Sequence, residues 1–346
     1  MKALTVKAPN RAEYIETEKP CATGNMLVVK VEKAGICATD FAIYSGESSF
    51  VKSGEIKYPV RFGHEWSGTV ESVGSDVVHF KPGDRVFSDS GVSCGVCSDC
   101  KMGNYGNCKY IKSVGTINTW DGCFAEYMLI PEFNAYHIPK NVTLEEAALI
   151  EPAAISLGAF DGVKIQKNMS VAVVGVGAIG MSAVWLAKYF GVDKVIAIGR
   201  TDGKLEIAKK IGADFVINNK TDNAAEKIIE LTNGGADMVI ETSGSESALI
   251  DAISMTKKGG TIPIISFYEK TVNNIPMDDV VINCLSLSGV AGNFGNPLRI
   301  AEIMSEYDRK LTPIITHRVP FDKCIDVFEN EELYSKNRIK VMVDFD

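Results

Sequence analysis

Residues 171–180 read Val171-Ala172-Val173-Val174-Gly175-Val176-Gly177-Ala178-Ile179-Gly180. An unbroken run of apolar, mostly β-branched residues predicts a buried strand, and a helical pattern begins after the last glycine. Between them, Gly175, Gly177 and Gly180 have the spacing G-x-G-x-x-G. Such glycines permit a tight turn, close backbone approach to a pyrophosphate, and close packing of helix on sheet. The N–H groups of Ala178 and Ile179 open the helix, whose N-terminus then faces the phosphates. In a strand–turn–helix context the stretch predicts a dinucleotide-binding unit.

The segments downstream agree. Strand 170–174 leads to helix 178–190, and strand 194–198 to helix 202–211. Strand 214–217 precedes helix 222–232 and strand 237–241, and further pairs follow at 247–257 with 260–265 and at 277–283 with 285–290. Alternation of this length predicts a parallel, doubly wound α/β sheet. Upstream the texture differs. Met26–Val31 and Ser67–Val73 are strand-like, and Thr143-Leu144-Glu145-Glu146 is a capping box opening an Ala-rich helical segment over 143–160. From about 294 the pattern is mixed again and ends in the strand-like Ile339–Val343. The expectation is a β-rich domain with an inserted α/β domain.

The chain has 346 residues, and at about 150 per domain this predicts two. Its net charge of −8 disfavours nucleic acid as a partner, since no run of Lys or Arg exceeds a pair. Asn168–Ala187 carries no charge and is long enough to span a membrane, but its glycines mark it as strand, turn and helix. The N-terminal Met1–Lys7 lacks the apolar stretch of a secretion signal. Nine cysteines are present, and residues 94–108 hold four of them. That clustering suits one metal site in a reduced, cytoplasmic chain better than a disulfide framework.

Cys94-x-x-Cys97-x-x-Cys100-x₇-Cys108 offers four thiolates, enough to close a tetrahedral structural zinc site. An iron–sulfur cluster and a nucleic-acid zinc module are the competing readings, the latter disfavoured by the acidic surroundings. Two further stretches, Cys37-Ala38-Thr39-Asp40 and Gly63-His64-Glu65, carry metal-ligating side chains, and Glu151 interrupts an apolar helical segment. A carboxylate there needs a partner. Cys37, His64 and Glu151 together would give three ligands and an open fourth position, the pattern of catalytic zinc, although spacing alone leaves this open. His79, His137 and His317 read as surface or hydrogen-bonded strand residues.

Cofactor choice turns on the end of the second strand of the α/β unit. NAD-type recognition wants a carboxylate there for the ribose 2′-hydroxyl. The sequence has Gly199-Arg200-Thr201 instead. Glycine makes room and Arg200 can pair with a 2′-phosphate, so NADP(H) is preferred and NAD(H) remains possible. Asp202 reads as capping the next helix. The bland alternative is that Arg200 is surface charge and both cofactors bind.

Taken together, these motifs, with Lys81–Val86 and Gly122–Tyr127, resemble the zinc-containing medium-chain dehydrogenase/reductase superfamily over essentially the whole chain. The resemblance implies a GroES-like catalytic domain from residues 1–155 and 294–346, with a Rossmann domain at 156–293. It implies two zinc ions per chain: one on Cys37, His64 and Glu151, with Glu65 beside it as an occasional ligand or proton acceptor, and one on the four-cysteine lobe. Thr39 would hydrogen-bond the substrate oxygen. It also implies a homodimer or homotetramer with no nucleic-acid or membrane partner. Glu151-Pro152 is similar to the sorbitol, L-iditol and galactitol-1-phosphate dehydrogenase branch, which implies a secondary alcohol such as a polyol or sugar phosphate as substrate. Residues 125–135 resemble L-threonine dehydrogenase, whereas Gly199–Thr201 resembles NADP-dependent secondary alcohol dehydrogenases.

Three positions depart from these patterns. Ala42 replaces the histidine of threonine dehydrogenases, Val290–Asn293 lacks an arginine common in polyol dehydrogenases, and Gly158 stands where relatives often have histidine. A non-catalytic redox sensor that binds zinc and nucleotide is the rival of another class, and intact Cys37, His64 and Glu151 argue against it.

Overall fold

The computed structural model describes residues 1–166, 168–291 and 296–345. It divides into two compact units. One comprises Met1–Glu151, Pro297–Glu306 and His317–Asp346; the other comprises Pro152–Asn296 and Tyr307–Thr316.

The second unit carries the α/β pattern. Its strands are β1 (Ser170–Val174), β2 (Lys194–Gly199), β3 (Phe215–Asn218), β4 (Ala236–Glu241), β5 (Thr256–Ile264) and β6 (Ser286–Gly289). All neighbours pair in parallel, in the order β3-β2-β1-β4-β5-β6. Helices α1 (Ala178–Tyr189), α2 (Asp202–Ile211), α3 (Ala224–Thr232), α4 (Glu246–Met255) and α5 (Met277–Ile282) alternate with them. This is the doubly wound dinucleotide-binding topology, with the switch point at β1 and β4. Every residue of β1 is buried, as a strand covered on both faces requires. The uncharged segment from Asn168 folds into β1, the glycine turn and α1. No helix among the described residues is long and apolar enough to cross a membrane.

The first unit is built on a long strand, Met26–Ile36. It pairs antiparallel with Glu65–Val73, with Tyr127–Pro131 and with Lys340–Asp344. A three-stranded sheet, Arg11–Glu16, Lys2–Ala8 and Val60–Arg61, lies in the same unit. Phe62 and Phe124 are fully buried with ring centroids 4.9 Å apart, and Phe328 lies 5.1 Å from Phe62. These rings flank the turn at Gly63. The capping box at Thr143 forms: its hydroxyl accepts from Glu146 N–H at 3.1 Å, and Glu146 accepts from Thr143 N–H at 2.9 Å. The helical segment expected over 143–160 is divided into Leu144–Ala147, Ile150–Leu157 and a 3₁₀ turn at Gly158–Phe160. The expected domain boundary at 293/294, and the departure read at Gly292 and Asn293, lie outside the described residues.

Candidate active site

Sheet register assembles the site in the first unit. In the central strand, Gly35 lies opposite Glu65, and Ile36 lies opposite Val341 on the other side. Cys37, next after Ile36, is therefore delivered between Glu65 and Lys340. A Cβ on residue 35 would lie 2.0 Å from Glu65 Oε2, so only glycine leaves that carboxylate its place. His64 precedes Glu65 and is fixed from the far side, where Cys123 N–H donates to Gly63 O at 2.9 Å.

The ligand atoms of Cys37, His64 and Glu65 all lie within 4.8 Å of one another. Asp40, fully buried in the first turn of helix Ala38–Ser45, joins two of these segments. Its Oδ2 accepts from Cys37 N–H at 2.8 Å, and its Oδ1 faces His64 Nδ1 at 3.5 Å. Among the described residues, neither of these facing atoms has another hydrogen-bond partner. Burial pulls the His64 pKa down, but the charge and hydrogen bond of Asp40, with help from Cys37, outweigh it and raise it well above the usual histidine range. With Nδ1 turned to Asp40, Nε2 is the nitrogen left to act as a ligand. Thr39 is partly exposed, and its hydroxyl accepts from Cys37 Sγ at 3.8 Å.

Glu151 sits in the first turn of helix Ile150–Leu157, outside the tight group formed by Cys37, His64 and Glu65. Burial pushes its carboxyl up to about 7; His64 pulls it down and Glu65 raises it further. Lys340 donates to both oxygens of Glu65, at 2.6 and 2.5 Å, and to Ile36 O at 3.2 Å. Sequence reading missed Lys340 and treated Asp40 only as part of a motif. The signal for Lys340 was present: a lysine inside an apolar strand, which needs a partner as much as Glu151 does.

The sulfurs of Cys94, Cys97, Cys100 and Cys108 also gather within 4.8 Å, with all nine cysteines of the chain unbridged. Cys97 N–H points at Cys94 Sγ, and Cys94 N–H at Cys108 Sγ. The N–H of Val96, ahead of the opposing desolvation, lowers the Cys94 thiol to about 6. Thiolates in one group, and thiolate, imidazole and carboxylate in the other, are zinc-type donors.

In the second unit the glycine turn caps the sheet. Gly175 N–H donates to Ile198 O at 2.9 Å, tying the turn to β2. Thr242 Oγ1, just beyond β4, donates to Val174 O at 2.9 Å. A Cβ on Gly180 would lie 2.0 Å from Gly175 O, so the helix start packs directly on the turn. Gly177 is exposed with open space before it, leaving the first N–H groups of α1, from Ala178 and Ile179, available to an anion. Gly199 is buried at the end of β2, Arg200 is exposed and Thr201 is the N-cap of α2. Asp202 is the first residue of α2 rather than its cap, and its carboxylate accepts from Asn218 Nδ2 at 2.6 Å.

Two family models match the chain: the alcohol dehydrogenase GroES-like domain over residues 23–140 and the zinc-binding dehydrogenase over 178–308. An L-threonine 3-dehydrogenase of Bacillus licheniformis is 34% identical, over 95% of each chain. A sorbitol dehydrogenase of Bacillus subtilis is 30% identical, over 99% of this chain and 97% of its own. A zinc-binding dehydrogenase from Sinorhizobium meliloti, solved with NADP, superposes with a TM-score of 0.89 at 30% identity, covering 99% and 98% of the two chains.

Proposed function

The chain belongs to the zinc-containing medium-chain dehydrogenase/reductase superfamily, and on that premise we propose that it interconverts a secondary alcohol and its ketone with NADP(H) as preferred cofactor. The enzyme class follows from membership; the substrate, the cofactor preference and the residue roles are our reading. The observation that carries it is the convergence of Cys37, His64 and Glu65, with Asp40 behind the imidazole.

In this reading Cys37, His64 and Glu151 hold the catalytic zinc, and Cys94, Cys97, Cys100 and Cys108 hold a second, structural one. When bound, the metal supplies Lewis-acid polarisation of the alcohol oxygen and the nicotinamide accepts the hydride. Asp40 fixes the His64 ring and its tautomer. Thr39 accepts a hydrogen bond from the substrate hydroxyl and relays that proton toward water. Glu65, held beside the reacting oxygen by Lys340, is the carboxylate that takes up the proton through water. Gly175, Gly177, Ala178, Ile179 and Gly180 receive the pyrophosphate, and Gly199, Arg200 and Thr201 the adenosine ribose. The GroES-like part spans 1–155 with 294–346, and the Rossmann part 156–293.

Arg200 supports the cofactor preference: it is exposed, and among the described residues no carboxylate pairs with it. For the substrate we favour a polyol, ketose or sugar phosphate, on Glu151-Pro152 and the sorbitol dehydrogenase relative. L-threonine is the second reading, favoured by the Bacillus licheniformis relative and opposed by Ala42. Turnover assays with polyols, sugar phosphates, L-threonine and simple secondary alcohols, each with both cofactors, decide between them. No turnover with any of these classes would defeat the reading.

A further inference from the structure

The glycine turn and the end of β2 are in direct contact. Val176, the first variable residue of the turn, is 8% exposed and lies over Gly199. A Cβ on residue 199 would sit 2.4 Å from Val176 Cγ2, 3.1 Å from Cγ1 and 3.3 Å from Cβ. Little can yield there. Valine is stiff about χ1, and the backbone on one side of it is tied to β2 through Gly175 N–H and Ile198 O. Gly199 in turn is held on its other edge, its carbonyl accepting from Asn219 N–H at 3.0 Å. The volume that a Cβ on residue 199 would take is thus filled by an isopropyl group.

We propose that Val176 is a specificity-determining residue for the nucleotide, because it occupies the volume that a ribose-hydroxyl acceptor at position 199 would need. The proposal deepens, and rests on, the NADP(H) reading above. NAD-type recognition is then excluded by shape as well as lacking a carboxylate. An aspartate introduced alone at 199 must push the turn aside or rotate away from the ribose, and it gains nothing in either case. Trimming Val176 to alanine removes both Cγ atoms and leaves a Cβ contact of 3.3 Å, which a shift of a few tenths of an ångström relieves.

Calorimetric titration of the zinc-loaded protein with adenosine 2′,5′-bisphosphate and with 5′-AMP tests this, because the two ligands differ only in the 2′-phosphate. Gly199→Asp should bind 5′-AMP no more tightly than the wild type. Val176→Ala with Gly199→Asp should bind it at least tenfold more tightly than Gly199→Asp alone. Equal affinities of the single and double variants would overturn the proposal. If Gly199→Asp does not fold, thermal unfolding of Gly199→Ala with and without Val176→Ala replaces it: recovery of most of the lost stability supports the contact, and strictly additive losses overturn it. The wild type judges the parent reading separately. Equal binding of the two nucleotides there defeats the NADP(H) preference, while the coupling between positions 176 and 199 still decides this proposal.

Discussion

Lys340 and Glu65, 275 residues apart in sequence, form a buried ion pair in which the ammonium spans both carboxylate oxygens at 2.6 and 2.5 Å. Both side chains are almost wholly enclosed. Burial lowers the lysine pKa, but the charge of Glu65, followed by that of Cys37, outweighs this and raises it. The pair holds a carboxylate beside the candidate metal ligands while occupying both of its oxygens.

Lys340→Met should leave Glu65 charged and unpaired in the interior, at a cost of about 3–5 kcal/mol. Adding Glu65→Gln should recover much of that loss, since neither position of the pair then carries a charge. Denaturant unfolding of both variants checks this. A Lys340→Met protein as stable as the wild type would mean that the pair contributes nothing to the fold.

Asp40→Asn keeps an acceptor for Cys37 N–H but removes the charge facing His64 Nδ1. Loss of such an outer partner typically costs ten- to a hundredfold in metal affinity. Competition with a zinc chelator, read against the wild type, should show a loss of that size at one site only, the four-cysteine lobe being unaffected.

Zinc analysis should give two ions per chain with unequal lability. Four thiolates close the lobe at Cys94–Cys108, whereas three ligands leave the other site open. A mild chelator should remove activity before it unfolds the protein. A single zinc per chain after careful purification would contradict the assignment.

Glu151 gives the metal-free protein a pH signature. Its carboxyl is raised from 4.5 to about 7, so the folded state holds this proton more tightly than the unfolded chain does. The resulting stabilisation is complete below about 4.5 and is lost as pH rises through about 7. Glu151→Gln should remove that slope, so the stability difference between the metal-free wild type and the variant should change across this window by on the order of a few kcal/mol. Parallel unfolding curves at pH 5 and pH 8 would refute it. In the zinc-loaded protein, Glu151→Ala should cost the catalytic metal or most of the turnover.

Arg200 should set the cofactor margin. A charge-assisted pair with the 2′-phosphate is worth about 1.5–3 kcal/mol, or roughly ten- to a hundredfold in affinity. The wild type should favour NADP(H) over NAD(H) by that margin in kcat/KM. Arg200→Ala should lose it on the NADP(H) side while barely changing NAD(H). Equal use of both cofactors by the wild type would reduce Arg200 to surface charge.

The α/β unit was legible because each of its elements is written locally. A β-branched run, a glycine turn and an amphipathic helix repeat, and the observed strands fall within a residue or two of their expected positions for most of the sheet. The metal ligands were legible as residue types but not as a geometry. What brings Cys37, Glu65 and Lys340 together is the pairing of Gly35 with Glu65 and of Ile36 with Val341, and long-range antiparallel register leaves no local mark in a sequence. Gly199 was legible only in part for a related reason. A glycine states that a side chain is absent, while its neighbour in space, Val176, decides whether the space is free.

The strand Lys340–Asp344 also bears on the order in which the molecule is made. The α/β sheet closes among residues 170–289, so its strands can pair as soon as that stretch has left the ribosome. The first unit cannot finish then, because Met26–Ile36 still lacks the neighbour that carries Lys340. Until translation passes residue 344, Glu65 lacks Lys340 as its counter-ion and the Lys33–Ile36 end of the central strand stands open on one edge. Metal acquisition at Cys37 and His64 should therefore wait until residues 340–344 have paired, and a chain stalled short of residue 340 should emerge with an ordered nucleotide unit and an immature metal site.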